Sequence, residues 1–207
     1  MSPPMIAATK PSETGSVAQF AIKRVGVVGL GHMGRAFAAN LVADGYRVSV
    51  FDRDKERIAA LLPTGARGAE RLADLADCDV ALTSVPDDDA LAAVALGPAG
   101  LAGILAPNAV HISTSTVSPP VSRRVAEEHA SHGQDYVAAP VLGNPDFARD
   151  RKLFVLAAGL PPAMQKVSPL LERLGQRVFV IRRRAGIGQP RQTRRQCADR
   201  DDTRKHG

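Results

Sequence analysis

From Ile22 onward, short β-branched and apolar runs alternate with Ala- and Leu-rich stretches of helical period. A parallel sheet with crossover helices produces this alternation, because strands buried on both faces read as continuous apolar runs and each connecting helix carries one apolar stripe. The pattern predicts strands over 22–28, 47–51, 79–83, 109–112, 134–138, 153–158 and 177–181. Helices are expected over 32–43, 54–62, 70–76, 88–95, 119–131 and 162–173. Ser118 before Pro119 reads as a helix entry, with an N-cap oxygen and a proline at the first helical position. The run Asp87, Asp88, Asp89 stands where a helix should begin, as anions that satisfy its dipole rather than as a metal site. The fold class expected is α/β, a doubly wound, mainly parallel sheet with helices on both faces.

The periodic region has flanks of different character. Residues 1–21 mix Pro, Ser, Thr and Gly without an apolar core and read as a flexible arm rather than a signal peptide. After Ile181 the apolar periodicity stops, and residues 182–207 read as a basic, disordered tail. With 207 residues, 44% hydrophobic and 23% charged, the chain has enough apolar material for one large domain, assigned to 22–181.

The net charge of +6 would ordinarily raise nucleic acid as a partner. Its location changes that picture: 182–207 hold nine Lys or Arg against three Asp, whereas 1–181 hold eighteen of each sign. The tail has no aromatic residue for base stacking and no recognition helix, so no nucleic-acid partner is expected. No run approaches a membrane span, so no membrane partner is expected either. Cys78 and Cys197 are too few for a disulfide framework or a four-ligand zinc site, which favours a reducing, cytoplasmic setting without a metal.

Candidate chemistry begins at G-L-G-H-M-G, residues Gly29, Leu30, Gly31, His32, Met33 and Gly34, between the first strand and the first helix. In that context the first glycine permits a tight turn, the second lets backbone approach a pyrophosphate, and the third allows close helix packing. The helix N-terminus adds unpaired N–H groups and the positive end of a dipole, the features of a Rossmann-type dinucleotide site. Asp52 closes the second strand, where a carboxylate can accept hydrogen bonds from the adenosine ribose and favours NAD. Arg53 could pair with a 2′-phosphate and favours NADP, so the cofactor is read as NAD or NADP, with NAD slightly ahead.

Six motifs in order, V-G-V-V-G-L-G-H-M-G (25–34), F-D-R (51–53), T-S-V-P (83–86), S-T-S-T-V-S-P (113–119), A-A-P-V-L-G (138–143) and K-L-F-V-L-A-A-G (152–159), resemble the N-terminal domain of the 3-hydroxyisobutyrate dehydrogenase family, within the 6-phosphogluconate dehydrogenase superfamily. The resemblance covers about 22–181. It implies that the 29–34 loop, Asp52, Arg53, Val85, Pro86 and Thr116 line the cofactor. It implies further that Ser115 binds a substrate carboxylate, helped by backbone around Leu142, Gly143 and Asn144. Read alone, Ser115 and Thr116 also fit a hydroxyl-stabilised turn before a helix. The family usually has Asp where this chain has Ser113 and Ala138, and Gly where it has Asn144, which leaves the acid substrate open.

The activity implied is reversible hydride transfer between a nicotinamide and the carbinol carbon of a small hydroxy acid, with a lysine as general acid. In the family that lysine lies in a segment resembling G-x-x-x-x-K-x-x-x-N after the last strand, before an all-helical domain that closes over the cofactor and builds a homodimer. Neither is found here, so no catalytic residue is intact and impaired turnover is expected. Loss of a general acid alone costs about 10²–10⁴ in rate. His111 could offer a suitable proton, but reads first as a partly buried structural residue.

The tail itself suggests why. Back-translating Gly188–Gly207 with permitted codons and dropping the first base gives ANLVKLAGNVLIATTRESMG, which restores K-x-x-x-N. Nine of these residues, among them Gln189, Cys197, Asp199 and Lys205, have only two codons each, and none contradicts the restoration. A frameshift near Ile181 is therefore expected, and the coding sequence decides it. Two other readings stay open: a non-catalytic cofactor-binding remnant, and a nucleic-acid module using the tail.

Overall fold

The structure, a computed structural model, describes residues 22–181; the arm over 1–21 and the tail over 182–207 lie outside the described residues. Strands β1 (Arg24–Val28), β2 (Arg47–Phe51), β3 (Arg67–Gly68), β4 (Val80–Thr83), β5 (Val110–Ser113), β6 (Asp135–Ala138), β7 (Val141–Leu142), β8 (Phe154–Gly159) and β9 (Arg177–Val180) are joined in one sheet. Their spatial order is β3-β2-β1-β4-β5-β6-β8-β7, with β9 also paired to β8. From β3 through β6 every pairing is parallel, and β8 runs antiparallel to β6 and β7.

The helices are α1 (His32–Ala43), α2 (Lys55–Ala59), α3 (Asp88–Ala95), α4 (Leu101–Ile104), α5 (Pro119–Ser131), α6 (Pro145–Arg149) and α7 (Pro161–Leu174). One face of the sheet presents Val25, Val27, Val48, Val50, Val80, Leu82, Val110 and Ile112 to a core shared with α1 and α7. The opposite face meets Leu101 of α4, Leu91 of α3 and Val125 of α5. The doubly wound α/β architecture follows from this two-sided burial. Asp79 aligns the first two central strands: one carboxylate oxygen accepts the backbone N–H groups of Lys23 and Arg24 at 2.9 Å each, and the other accepts the Arg24 guanidinium at 2.9 Å.

Several local expectations are corrected. The helix expected over 54–62 stops at Ala59 and gives way to a 3-10 turn at Leu62–Thr64. Pro63 supplies the reason, since a proline ring clashes with the carbonyl four residues earlier, here that of Ala59. The helix expected over 70–76 is a 3-10 turn, Leu72–Leu75, whose Asp74 carboxylate reaches back to the backbone N–H groups of Glu70 and Arg71. Ser118 makes no side-chain cap for α5; its own N–H donates instead to Asp88 Oδ1 at 2.8 Å, tying the starts of α3 and α5 together. Asp87 does cap α3, accepting from Ala90 N–H at 2.8 Å. His111, expected to be partly buried, is the second residue of β5 and is wholly buried.

Candidate functional site

The order of strands reverses between β1 and β4, because β1 leads by way of α1 to β2 on one side and the chain returns to β4 on the other. Beyond the carboxyl ends of strands at such a reversal lies the crevice in which open α/β sheets bind ligands. The 29–34 loop leaves β1 there, 84–86 leaves β4, and 114–116 leaves β5.

Three glycines of the first loop differ in what requires them. Gly29 has φ +86°, and a β-carbon on it would stand 2.3 Å from the Ser84 carbonyl oxygen. A β-carbon on Gly34 would stand 1.9 Å from the Gly29 carbonyl oxygen. Gly31 has neither constraint: its φ is −63° and a β-carbon there would meet nothing within 4 Å. The protein's own packing leaves that space open in front of α1. No side chain caps α1 and no acidic residue stands in its first turn, so the N–H groups of this helix end face the opening without a built-in anion. The residues present therefore fit a pyrophosphate.

Asp52 lies next to this loop. One carboxylate oxygen accepts the Leu30 N–H at 2.6 Å and the other the Asp54 N–H at 2.9 Å, while Arg57 of α2 approaches to 3.6 Å. Arg53 is exposed. A cleft of about 460 Å³ opens here, with Phe51, Ile58 and Leu62 as apolar lining and Asp52, Arg53 and Lys55 among its polar groups. Sequence reading did not single out Arg57; its spacing of three from Asp54 across a helix start, where the two form an ion pair at 3.2 Å, was the available signal.

The β4 and β5 loops are locked to each other. Thr114 donates both its backbone N–H and its hydroxyl to the Thr83 carbonyl at 2.9 Å each, and Ser115 Oγ accepts the Val85 N–H at 2.8 Å. Ser115 is buried, Val85 is half-buried, and Pro86 and Thr116 are exposed at the rim. Because Ser115 Oγ accepts from Val85, its own hydroxyl hydrogen is still available to donate. Leu142, which ends β7, and Gly143 and Asn144 after it are exposed; Asn144 Oδ1 caps α6 by accepting the Phe147 N–H.

Beneath these loops lies a set of polar side chains of which sequence reading had singled out only His111. Thr83, His111, His129 and Gln134 are all buried and hydrogen-bonded in series. Burial holds the His111 imidazole well below the usual histidine range, with His129 adding to the effect, and burial likewise lowers His129 although its bond to Gln134 opposes this. Among the described residues, no group of three or more His, Cys, Asp or Glu could hold a metal ion, and no helix is long and apolar enough to cross a membrane.

Comparison with known proteins shows the family to which the chain belongs. Residues 24–182 match the family model described as the NAD binding domain of 6-phosphogluconate dehydrogenase. An uncharacterized oxidoreductase, YfjR of Bacillus subtilis, is 40% identical over 160 residues, which are 76% of this chain and 56% of that protein. The 3-hydroxyisobutyrate dehydrogenase of Pseudomonas aeruginosa is 32% identical over 156 residues, 75% of this chain and 52% of that one. The solved structure of Psf3 in complex with NADP+ and 2-OPP superposes with a TM-score of 0.73 at 28% identity, covering 76% of this chain and 56% of that one. The chain thus spans about half the length of the curated relatives it matches.

Proposed function

We propose that this chain, which belongs to the family of the NAD binding domain of 6-phosphogluconate dehydrogenase, is the cofactor-holding part of an oxidoreductase acting on a small hydroxy or oxo acid. The observation that carries the reading is the open space at Gly31 in front of an uncapped α1, at the reversal of strand order. A nicotinamide dinucleotide bound there would supply or accept the hydride. The chain's own residues do the rest: the 29–34 loop receives the pyrophosphate, Asp52 and Arg53 meet the adenosine end, and Val85, Pro86 and Thr116 border the nicotinamide end.

NAD remains ahead of NADP in this reading because Asp52 would repel a 2′-phosphate. Arg53 and Arg57 keep NADP within reach, and the NADP+ bound by Psf3 supports that second option. Ser115, its oxygen held by the Val85 N–H, is suited to donate to a substrate carboxylate, and the backbone of 142–144 would complete that cradle. Two of the domain's lysines are placed away from this edge: Lys23 is just before β1 at the opposite end of the sheet, and Lys166 donates to the Asn108 carbonyl there. Because no described residue matches the lysine that the family resemblance implies, the described domain is proposed to bind cofactor with little turnover of its own.

Fluorescence titration of the full chain with NADH and NADPH tests this. Saturable binding of both, tighter for NADH, together with slow or absent oxidation of small hydroxy acids, is the expected result. No response to either nucleotide would overturn the reading.

A further inference from the structure

Gln134 fixes every hydrogen in the buried series beneath the cofactor edge. Its Nε2 lies 3.1 Å from the Ala102 carbonyl and 2.6 Å from that of Leu105, and since carbonyl oxygens only accept, Nε2 must be the donor and Oε1 must face the other way. Oε1 lies 2.6 Å from His129 Nδ1, which must therefore carry a hydrogen. In a neutral ring that leaves His129 Nε2 as an acceptor. It lies 2.8 Å from His111 Nδ1, which must then be the donor, so that His111 Nε2 is bare. The last bond follows: Thr83 Oγ1 donates to His111 Nε2 over 2.9 Å.

The far end of this series is joined to the loops of the site. Thr83 is the last residue of β4, and its carbonyl holds Thr114 by two bonds. Val85, two residues on, is held by Ser115. Beside Thr83 in the β4–β5 ladder is Ser113, whose buried side chain interacts with the Tyr136 hydroxyl. A proton added to His111 Nε2 would turn that nitrogen into a donor to Thr83. The Thr83 hydroxyl hydrogen would then have to leave its present partner.

We propose that Thr83, His111, His129 and Gln134 form a positioning relay for the cofactor edge, holding the 83–86 and 113–116 loops in an arrangement that exists only while both imidazoles are neutral. The inference rests on the cofactor reading above for its consequence, but not for its geometry. From β6, Tyr136 faces the pair, its ring 5.3 Å from His111 and 6.2 Å from His129. From α5 itself come Glu128, which favours the charged form of His129, and at its end His132, which opposes it. Gln134 and the Ala102 and Leu105 carbonyls add no charge. His111 is wholly buried, with only His129 acting on it electrostatically, so a proton gained there has no carboxylate to pair with.

Three measurements on the full chain test the relay. Ring ¹⁵N NMR of the unmodified protein at pH 7.5 should show both histidines neutral, each with its hydrogen on Nδ1; any other tautomer pair overturns the assignment. In Thr83→Val, the protection factors of the Val85 and Thr114 amides should fall at least tenfold while that of Val27 in β1 is unchanged, and Thr83→Ser should restore them. A uniform fall across all amides, or a change below twofold at Val85 and Thr114, overturns the positioning role. Lowering the pH to 5.5 should reduce protection at the same two amides in the unmodified chain and not further in Thr83→Val. NADH affinity should fall about tenfold in Thr83→Val and recover in Thr83→Ser. If the unmodified chain binds no NADH, the cofactor reading fails while the ring and amide results still decide the relay.

Discussion

A β-carbon on Gly34 would stand 1.9 Å from the carbonyl oxygen of Gly29, closer than any packed pair of atoms can approach. The two glycines bracket the turn by which the chain passes from β1 into α1, so this contact sets how near the helix start lies to the strand end. Gly34→Ala should therefore push α1 away from the loop. The expected outcome is a loss of about 2–3 kcal/mol in stability, as for overpacking in a core, and loss of cofactor binding. Urea unfolding and NADH titration of the same variant measure both.

Gly31→Ala should separate these two effects. Its backbone is not in the left-handed region and its β-carbon would meet nothing within 4 Å, so the fold has no use for a glycine there. Stability should hold or rise by about 0.4–1 kcal/mol, because alanine reduces the freedom of the unfolded chain. Cofactor affinity should nevertheless drop, since the methyl group occupies the space left for the pyrophosphate. A variant as tight-binding as the parent would mean that the open space is not the phosphate site.

Asp79 is the partner of two backbone N–H groups and one guanidinium at the amino end of the sheet. Burial alone would raise its pKa, but Arg24 and the N–H groups of Arg24 and Lys23 outweigh that and hold it below the usual carboxylate range. Asp79→Ala leaves those donors without an acceptor and should cost about 1.5–3 kcal/mol, the range for hydrogen bonds to charged groups. Far from the carboxyl edge, it should leave NADH affinity unchanged at temperatures where the chain is folded.

Cys78 should be chemically silent in the native state. Its thiol is buried, and desolvation, with the nearby charge of Asp77, pushes its pKa up to about 12. The reactive thiolate is therefore scarce at neutral pH as well as hidden. Alkylation followed by peptide mapping should find Cys78 unmodified until denaturant is added; rapid native labelling at that peptide would contradict the burial.

The elements legible in the sequence were those long enough to show a period. The strands at 47–51 and the helices at 32–43, 88–95 and 119–131 are found at the expected residues, because each buries a stripe or a run that composition alone marks. The strands Arg67–Gly68 and Val141–Leu142 and the helices Leu101–Ile104 and Pro145–Arg149 have two to five residues each, too few to carry a 2- or 3.6-residue repeat. In the site, the glycine loop was legible because its spacing encodes a backbone requirement. Arg57 and the His129–Gln134 pair were not, since their significance lies in what tertiary packing sets beside Asp52 and His111. No local pattern announces that the eleventh residue of one helix, a histidine, will meet another histidine on a strand.

That same pair makes stability depend on pH in a defined window. Both rings are neutral in the fold and are lowered chiefly by desolvation, whereas in the unfolded chain each regains a pKa near 6.5. Below about pH 6.5 the unfolded state thus binds more protons than the folded one, and stability rises with pH through that range. The contribution is fully present above pH 6.5 and is lost as pH falls toward the folded pKa values. A histidine that stays neutral in the fold removes up to about 1.4 kcal/mol per pH unit below 6.5, so stability should fall between pH 6.5 and 5.5. Carboxylates such as Asp79, held below their usual range, respond only at lower pH and add nothing in this window. Urea midpoints measured at pH 8, 6.5 and 5.5 should therefore stay level between the first two, apart from a small onset, and fall clearly at the third. A midpoint unchanged down to pH 5.5 would mean that the imidazoles accept protons inside the fold, and the neutral, hydrogen-bonded series from Thr83 to Gln134 could not then be what holds the two loops.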